Sequence, residues 1–274
     1  MVKRRRRSVK NKNNMVVITV SILFLFSIGF ISGAGIFHEK SKIIVSDNRP
    51  AISQNYMNKR ESNVKTDKEI LSEFNPYKSD GRKVVYLTFD DGPSANNTSK
   101  ILKILKEYNV KATFFLIGKN AERNKELVKE EVAEGNVVGN HTYSHNMSYI
   151  YSDPKVFIGD VEKCQEILKS ILGSKYNLKL IRFPGGSFGK KLEPFREEAK
   201  KSGYQYVDWN DLTGDAEHNG VPVANLIREV KRYSNHDHLV VLMHDAPAKV
   251  TTVQALPQII EYFSSQGYSF DTLK

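Results

Sequence analysis

The chain predicts an α/β fold, a distorted or incomplete parallel (β/α) barrel, TIM-like, with about seven strands. Three observations lead there. From Val84 onward, short apolar runs alternate with amphipathic segments, which is the pattern of parallel βαβ units. The segment 82–274 is short for a complete eightfold barrel, which takes about 250 residues. Polar residues able to do chemistry follow the apolar runs, at the strand ends that a parallel barrel gathers on one face. A doubly wound open sheet is the alternative arrangement.

In chain order, strands are expected near 84–89, 112–116, 136–140, 180–183, 205–210, 239–243 and 268–271. Helices are expected near 98–108, 121–134, 154–172, 192–202, 223–234 and 253–266. Val84-Val85-Tyr86-Leu87 reads as a buried strand stopped by Gly92-Pro93. Asn136-Val137-Val138-Gly139 is a second short apolar run. Val161, Cys164, Leu168 and Ile171 form an apolar stripe at helical spacing, so the lone cysteine reads as a buried structural thiol. Leu239 to Met243 is the strongest strand pattern in the chain.

The chemistry begins with Thr88-Phe89-Asp90-Asp91-Gly92-Pro93. Adjacent carboxylates repel unless a cation or a retained proton relieves them. Successive strand residues point to opposite sides, so Asp90 and Asp91 can take different roles. His141-Thr142-Tyr143-Ser144-His145 supplies two imidazoles that meet on one face if the segment turns helically. One Asp with two His suits zinc and leaves a coordination position open for water. An H-x3-H pair alone is a weak signal; beside an Asp-Asp pair it becomes a candidate metal site.

Four motifs in order, TFDDGP, HTYSH, Arg182-Phe183-Pro184-Gly185-Gly186 and Leu242-Met243-His244-Asp245, resemble the NodB-type polysaccharide deacetylase family over residues 82–274. The resemblance implies metal-dependent removal of N-acetyl groups from a cell-wall glycan, first of all peptidoglycan N-acetylglucosamine. It implies that Asp90 is the base, with Asp91, His141 and His145 holding the metal; the residues alone do not choose between the two aspartates. Zn2+ is the expected ion, with Co2+, Ni2+ or Mn2+ able to use the same donors. It would lower the pKa of a bound water from 15.7 towards about 7.

By the same resemblance the Gly185 N–H stabilises the oxyanion, at a position where many relatives carry tyrosine. Arg182 is expected to pair with Asp90 and hold it ionised. His244 is the general acid, and Leu242 walls the acetyl methyl. Asp215 and Asp208 are both candidates for the acid beside His244; spacing from the preceding strand favours Asp215, with Ala216 where tryptophan is common. Asp245 reads as structural. His38, His218, His236 and His238 read as solvated. The rival readings are an O-acetyl esterase, which would depend less on His244, and a catalytically inactive glycan-binding envelope protein.

Seven of the ten net positive charges lie in residues 1–14, which hold no acid. A basic tail can bind nucleic acid, but this one leads into Met15–Phe37, which is uncharged. At about 1.5 Å per residue that span crosses a hydrocarbon core of about 30 Å. The expected organisation is a basic cytoplasmic tail (1–14), an uncleaved transmembrane anchor (15–37), an extracytoplasmic linker (38–81) and the catalytic domain (82–274). Ser32-Gly33-Ala34 would serve as a cleavage site if the segment were instead a signal peptide, releasing a secreted protein. The expected partners are the wall glycan and the membrane, with no nucleic acid. No oligomeric state follows from these residues.

Overall fold

The computed structural model describes residues 75–273. The basic tail 1–14, the anchor 15–37 and most of the linker 38–81 lie outside the described residues. Among the described residues no helix is long and apolar enough to cross a membrane.

β1 (Val84–Asp90) is buried along its whole length and is an interior strand of a parallel sheet. After it come α1 (Thr98–Glu107), β2 (Thr113–Leu116), α2 (Gly118–Arg123), α3 (Lys125–Ala133), β3 (Val137–Asn140), α4 (Met147–Ile150) and α5 (Pro154–Leu172). The second half runs β4 (Leu180–Ile181), α6 (Glu193–Lys201), β5 (Gln205–Tyr206), β6 (Asp211–Leu212), α7 (Val223–Tyr233), β7 (His238–His244), α8 (Val250–Ser265) and β8 (Ser269–Asp271). Seven strands follow the path β5-β4-β3-β2-β1-β7-β6. β8 lies beside the first half of β1, pairing Val84 to Tyr86, while β2 pairs Thr88 to Asp90.

In place of the one strand expected over 205–210 there are two short ones, β5 within that run and β6 just after it. Val207 N–H donates to Ile181 O on β4 at 3.1 Å, whereas Asn210 N–H donates to Val240 O on β7 at 3.2 Å. The chain therefore leaves one edge of the sheet and joins the other within a few residues. This link curls the sheet into an incomplete barrel, closed by covalent chain where a ladder would close a full one. The helix expected over 121–134 is also two, interrupted at Asn124, whose backbone leaves the helical region. The short α4 was not expected.

Strand alternation divides the core. Val85, Leu87 and Phe89 of β1, with Leu239, Val241 and Met243 of β7, pack outward against helices such as α1 and α8. Val84, Tyr86 and Val240 fill the barrel interior with Phe115, Leu180 and Val207. By the same period, Thr88 and Asp90 on β1 and Leu242 and His244 on β7 continue the inner face towards the strand ends. Residue pairing sets Asp90 directly opposite His244.

Candidate active site

At the end of β1 the backbone turns sharply, because Asp91 takes a left-handed conformation with φ of 72°. That turn cancels the strand alternation expected for the two acids. Both carboxylates approach one imidazole: His141 Nε2 lies 3.8 Å from Asp90 Oδ2 and 3.7 Å from Asp91 Oδ1. Gly92 is required behind them, since a Cβ there would lie 2.8 Å from the Asp245 carboxylate. Asp245 itself is fully buried; it accepts from Ser94 Oγ at 2.8 Å and from Thr98 Oγ1, tying the loop after β1 to α1.

His141 and His145 meet without a helix. Thr142 and His145 have positive φ, 64° and 50°, and the turn is pinned from inside. Asn140 Oδ1 accepts from Thr142 N–H at 2.9 Å, while its Nδ2 donates to Val161 O on α5 at 2.8 Å. Asp160 Oδ1 accepts from both Tyr143 N–H and Ser144 N–H at 2.8 Å. The rings end with centroids 4.9 Å apart.

Donor atoms of Asp91, His141 and His145 all lie within 4.8 Å of one another. His141 Nδ1 sits 2.8 Å from the Arg182 carbonyl, which can only accept; the ring proton therefore belongs on Nδ1, leaving a lone pair on Nε2. Burial pushes the His141 pKa down to about 3, with Asp91 pulling the other way, so the ring is neutral. Asp91 Oδ1 is buried and makes no hydrogen bond. An unmet carboxylate oxygen facing two imidazoles is a donor set that fits a divalent cation.

Arg182 is wholly buried, which excludes a surface ion pair. Its Nη1 donates to Asp90 Oδ1 at 3.0 Å and to Thr88 Oγ1 at 2.6 Å; Nε and Nη2 donate to the carbonyls of Val207 and Asp208. The guanidinium also lies 4.2 Å from the Phe115 ring centroid. The expected pairing is there, and the guanidinium lowers the Asp90 pKa as expected, but burial outweighs it. Burial raises the Asp90 pKa and the guanidinium only partly offsets it, so Asp90 holds a proton more tightly than an ordinary carboxylate.

Across the site, His244 Nδ1 lies 2.8 Å from Asp215 Oδ1, and Asp215 Oδ2 accepts from the His244 N–H and from Thr252 Oγ1, each at 2.8 Å. Burial opposes the charged imidazole, but the bond and charge of Asp215, with Asp90 and Asp91 adding, raise its pKa to about 9. The same partners outweigh burial at Asp215 and hold its carboxyl below the ordinary range. Asp208 takes a different place. Its carboxylate accepts from Ser187 N–H at 2.8 Å and Ser187 Oγ at 2.5 Å, fixing the loop that carries Gly185.

Gly185 is exposed with φ of 77°, and no described residue accepts from its N–H. A Cβ at this position would lie 3.0 Å from the Met147 methyl, so Met147 stands where a larger residue's side chain would begin. Leu242 is buried on the inner face of β7. Thr88, Asn140, Asp160 and Thr252 also shape the site, though none of them was an expected site residue. Thr88 alone carried a readable signal, since alternation puts it on the Asp90 face. His238, expected in a solvated loop, opens β7; it is buried, with Nε2 3.2 Å from Asp80. His218 and His236 are exposed, and His38 lies outside the described residues. Cys164 is buried, as its stripe implied, and burial raises its thiol pKa.

The sequence profile of the polysaccharide deacetylase family matches residues 77–207. A peptidoglycan-N-acetylglucosamine deacetylase of Bacillus cereus is 35% identical over 212 residues, 76% of this chain and 74% of the relative. The structure of a Streptococcus mutans CE4 esterase superposes with a TM-score of 0.66 at 36% identity, covering 71% of this chain and 87% of that one. The catalytic domain of a peptidoglycan N-acetylglucosamine deacetylase from Eubacterium rectale gives 0.65 at 32% identity, covering 74% and 94%. Sequence and architecture agree, and the chain belongs to the polysaccharide deacetylases, a family of hydrolases.

Proposed function

We propose that this protein is a metal-dependent deacetylase that hydrolyses the N-acetyl group of N-acetylglucosamine in peptidoglycan. The observation that carries the reading is the trio Asp91, His141 and His145 beside buried Asp90, faced by the Asp215–His244 pair. The glycan is argued from the B. cereus and E. rectale relatives, whose names specify it. The trio would hold the metal, with Zn2+ favoured by an oxygen and two imidazole nitrogens and Co2+, Ni2+ or Mn2+ as alternatives. When bound, the ion supplies Lewis acidity to the acetyl carbonyl and to the water that attacks it.

The remaining work falls to the chain. Asp90, aimed by Arg182, accepts a proton from the attacking water, and its raised pKa makes it a stronger base than a free carboxylate. The unpartnered Gly185 N–H donates to the oxyanion. Leu242 lies against the acetyl methyl. His244, charged at neutral pH, gives its proton to the amine as the bond breaks, and Asp215 keeps it charged until then.

The anchor 15–37 and linker 38–81 would place this domain on the outer side of the membrane within reach of the wall; recovery of the protein in the soluble fraction would count against the anchor. For the chemistry, mass analysis of wall fragments is decisive. Purified protein should remove one acetyl per N-acetylglucosamine, and Asp90→Asn should remove none. The S. mutans neighbour, named an esterase, keeps O-deacetylation as a second reading. An alcohol leaves without much help, so His244→Ala should lose about 10²–10⁴-fold on an N-acetyl glycan but little on an acetyl ester. Wall fragments that lose only ester-linked acetyl would overturn the N-deacetylase reading.

A further inference from the structure

Beside the metal-ligand loop lies a cleft of about 690 Å³, lined by Lys119, Lys155 and Lys163 together with Tyr143, Ser144 and Gly159. Two of its walls come from the loop that carries His141 and His145, because Tyr143 and Ser144 lie between those ligands. The third is α5, which presents Lys155, Gly159 and Lys163 along one face at spacings of four residues. Lys119 stands at the start of α2, whose Lys119 N–H bonds the Tyr143 carbonyl at 3.1 Å. Lys163 Nζ rests 3.7 Å from the Tyr143 ring centroid, and Lys119 Nζ 5.7 Å.

The cleft has more positive charge than its surroundings neutralise. Among the described residues no carboxylate pairs with any of the three ammonium groups. Its one lining acid, Asp160, is buried and accepts two backbone N–H groups of the catalytic loop. The floor is also kept clear. Gly159 lies inside a helix of 19 residues, where glycine costs about 1 kcal/mol relative to alanine. No close packing demands it, since a Cβ there would meet nothing within 4 Å. An unpacked glycine between unpaired lysines leaves room for a ligand rather than for the protein's own side chains.

We infer that this cleft binds a carboxylate of the peptide that peptidoglycan carries on alternate sugars. The inference rests on the proposed substrate: a glycan strand in the catalytic groove brings its neighbouring sugar, and the peptide hanging from it, alongside the loop. Ammonium groups on flexible stems suit a mobile carboxylate, to which charge-assisted hydrogen bonds are the strong ones.

The test compares purified glycan strands bearing peptides with the same strands stripped of peptide by an amidase. Two variants attack the cleft differently. Lys155→Gln with Lys163→Gln removes charge, and Gly159→Leu fills the floor while favouring the helix. Each should raise KM on peptide-bearing strands about tenfold, with kcat little changed and activity on stripped strands unchanged. Raised salt should reproduce the effect in the wild type and should not add to it in the charge variant. Equal behaviour of wild type and variants on both substrates would overturn the inference and leave the deacetylase reading standing. Losses on both substrates alike would also overturn it, as damage to the loop. A wild type inactive on both strands would instead overturn the proposed function, and the inference with it.

Discussion

In the proposed reaction His244 and Asp90 meet the same substrate with opposite protonation needs, and their surroundings set both. Asp90 must be ionised, and its pKa is raised by burial. His244 must be charged, and its pKa is raised to about 9. Activity should therefore fall on the acid side as Asp90 gains its proton, above the ordinary carboxylate range, and on the alkaline side as His244 loses its proton near pH 9. In Asp215→Asn the alkaline limb of kcat/KM should move down towards pH 6.5, because the group that raises the imidazole pKa has gone. An unmoved limb would show that His244 is not the acid. The linked stability has a definite sign. His244 binds its proton more tightly folded than unfolded, so its contribution is full below about pH 6.5 and is lost as pH rises through about 9. Thermal midpoints of wild type and Asp215→Asn should accordingly converge at high pH.

At the scale of elements, the turn after β3 decides whether the ligands meet. Asn140 ties that turn to itself and to α5, so Asn140→Ala should destabilise the domain by about 1–3 kcal/mol. It should also weaken metal affinity about 10–100-fold, readable by titration with a chromophoric chelator. Glu131 on α3 is the opposite case. It is fully buried with neither carboxylate oxygen bonded, and burial raises its pKa well above the ordinary value. Its stability contribution falls as pH rises above about 4.5, so Glu131→Gln should raise the melting temperature at pH 8 and change it little at pH 4. What could be read beforehand divides along the same line. β1 and β7 are long apolar runs, and their burial and the residues at their ends were visible. The turn through Thr142 and His145 was not, because left-handed backbone in a threonine and a histidine has no compositional mark. Nor was the break in 205–210: Val207 and Trp209 both serve the inner core, so the apolar pattern continues while the ladder changes partners.

For the whole molecule, metal and fold should be linked. Asp91 Oδ1 is an unmet buried acceptor without the ion, so loading should stabilise the native state. At free metal a hundredfold above its Kd the gain is about 2.7 kcal/mol. Exhaustive chelation should therefore lower the melting temperature as well as abolish activity, and Zn2+ should restore both. A chelated protein with full activity would refute the assigned ligands.

The place of β1 has a consequence for how the protein is made. Its two neighbours along the first half, β7 and β8, lie some hundred and fifty residues or more downstream, so the middle of the sheet is built from the start and finish of the domain. Pairings of such long range form late and slowly. A polypeptide still emerging from a ribosome or an export channel would leave the first half of β1 without both its neighbours until Asp271 is clear. If the domain is exported as proposed, the wiring of the sheet itself favours passage unfolded, with the hydrolase completed after release.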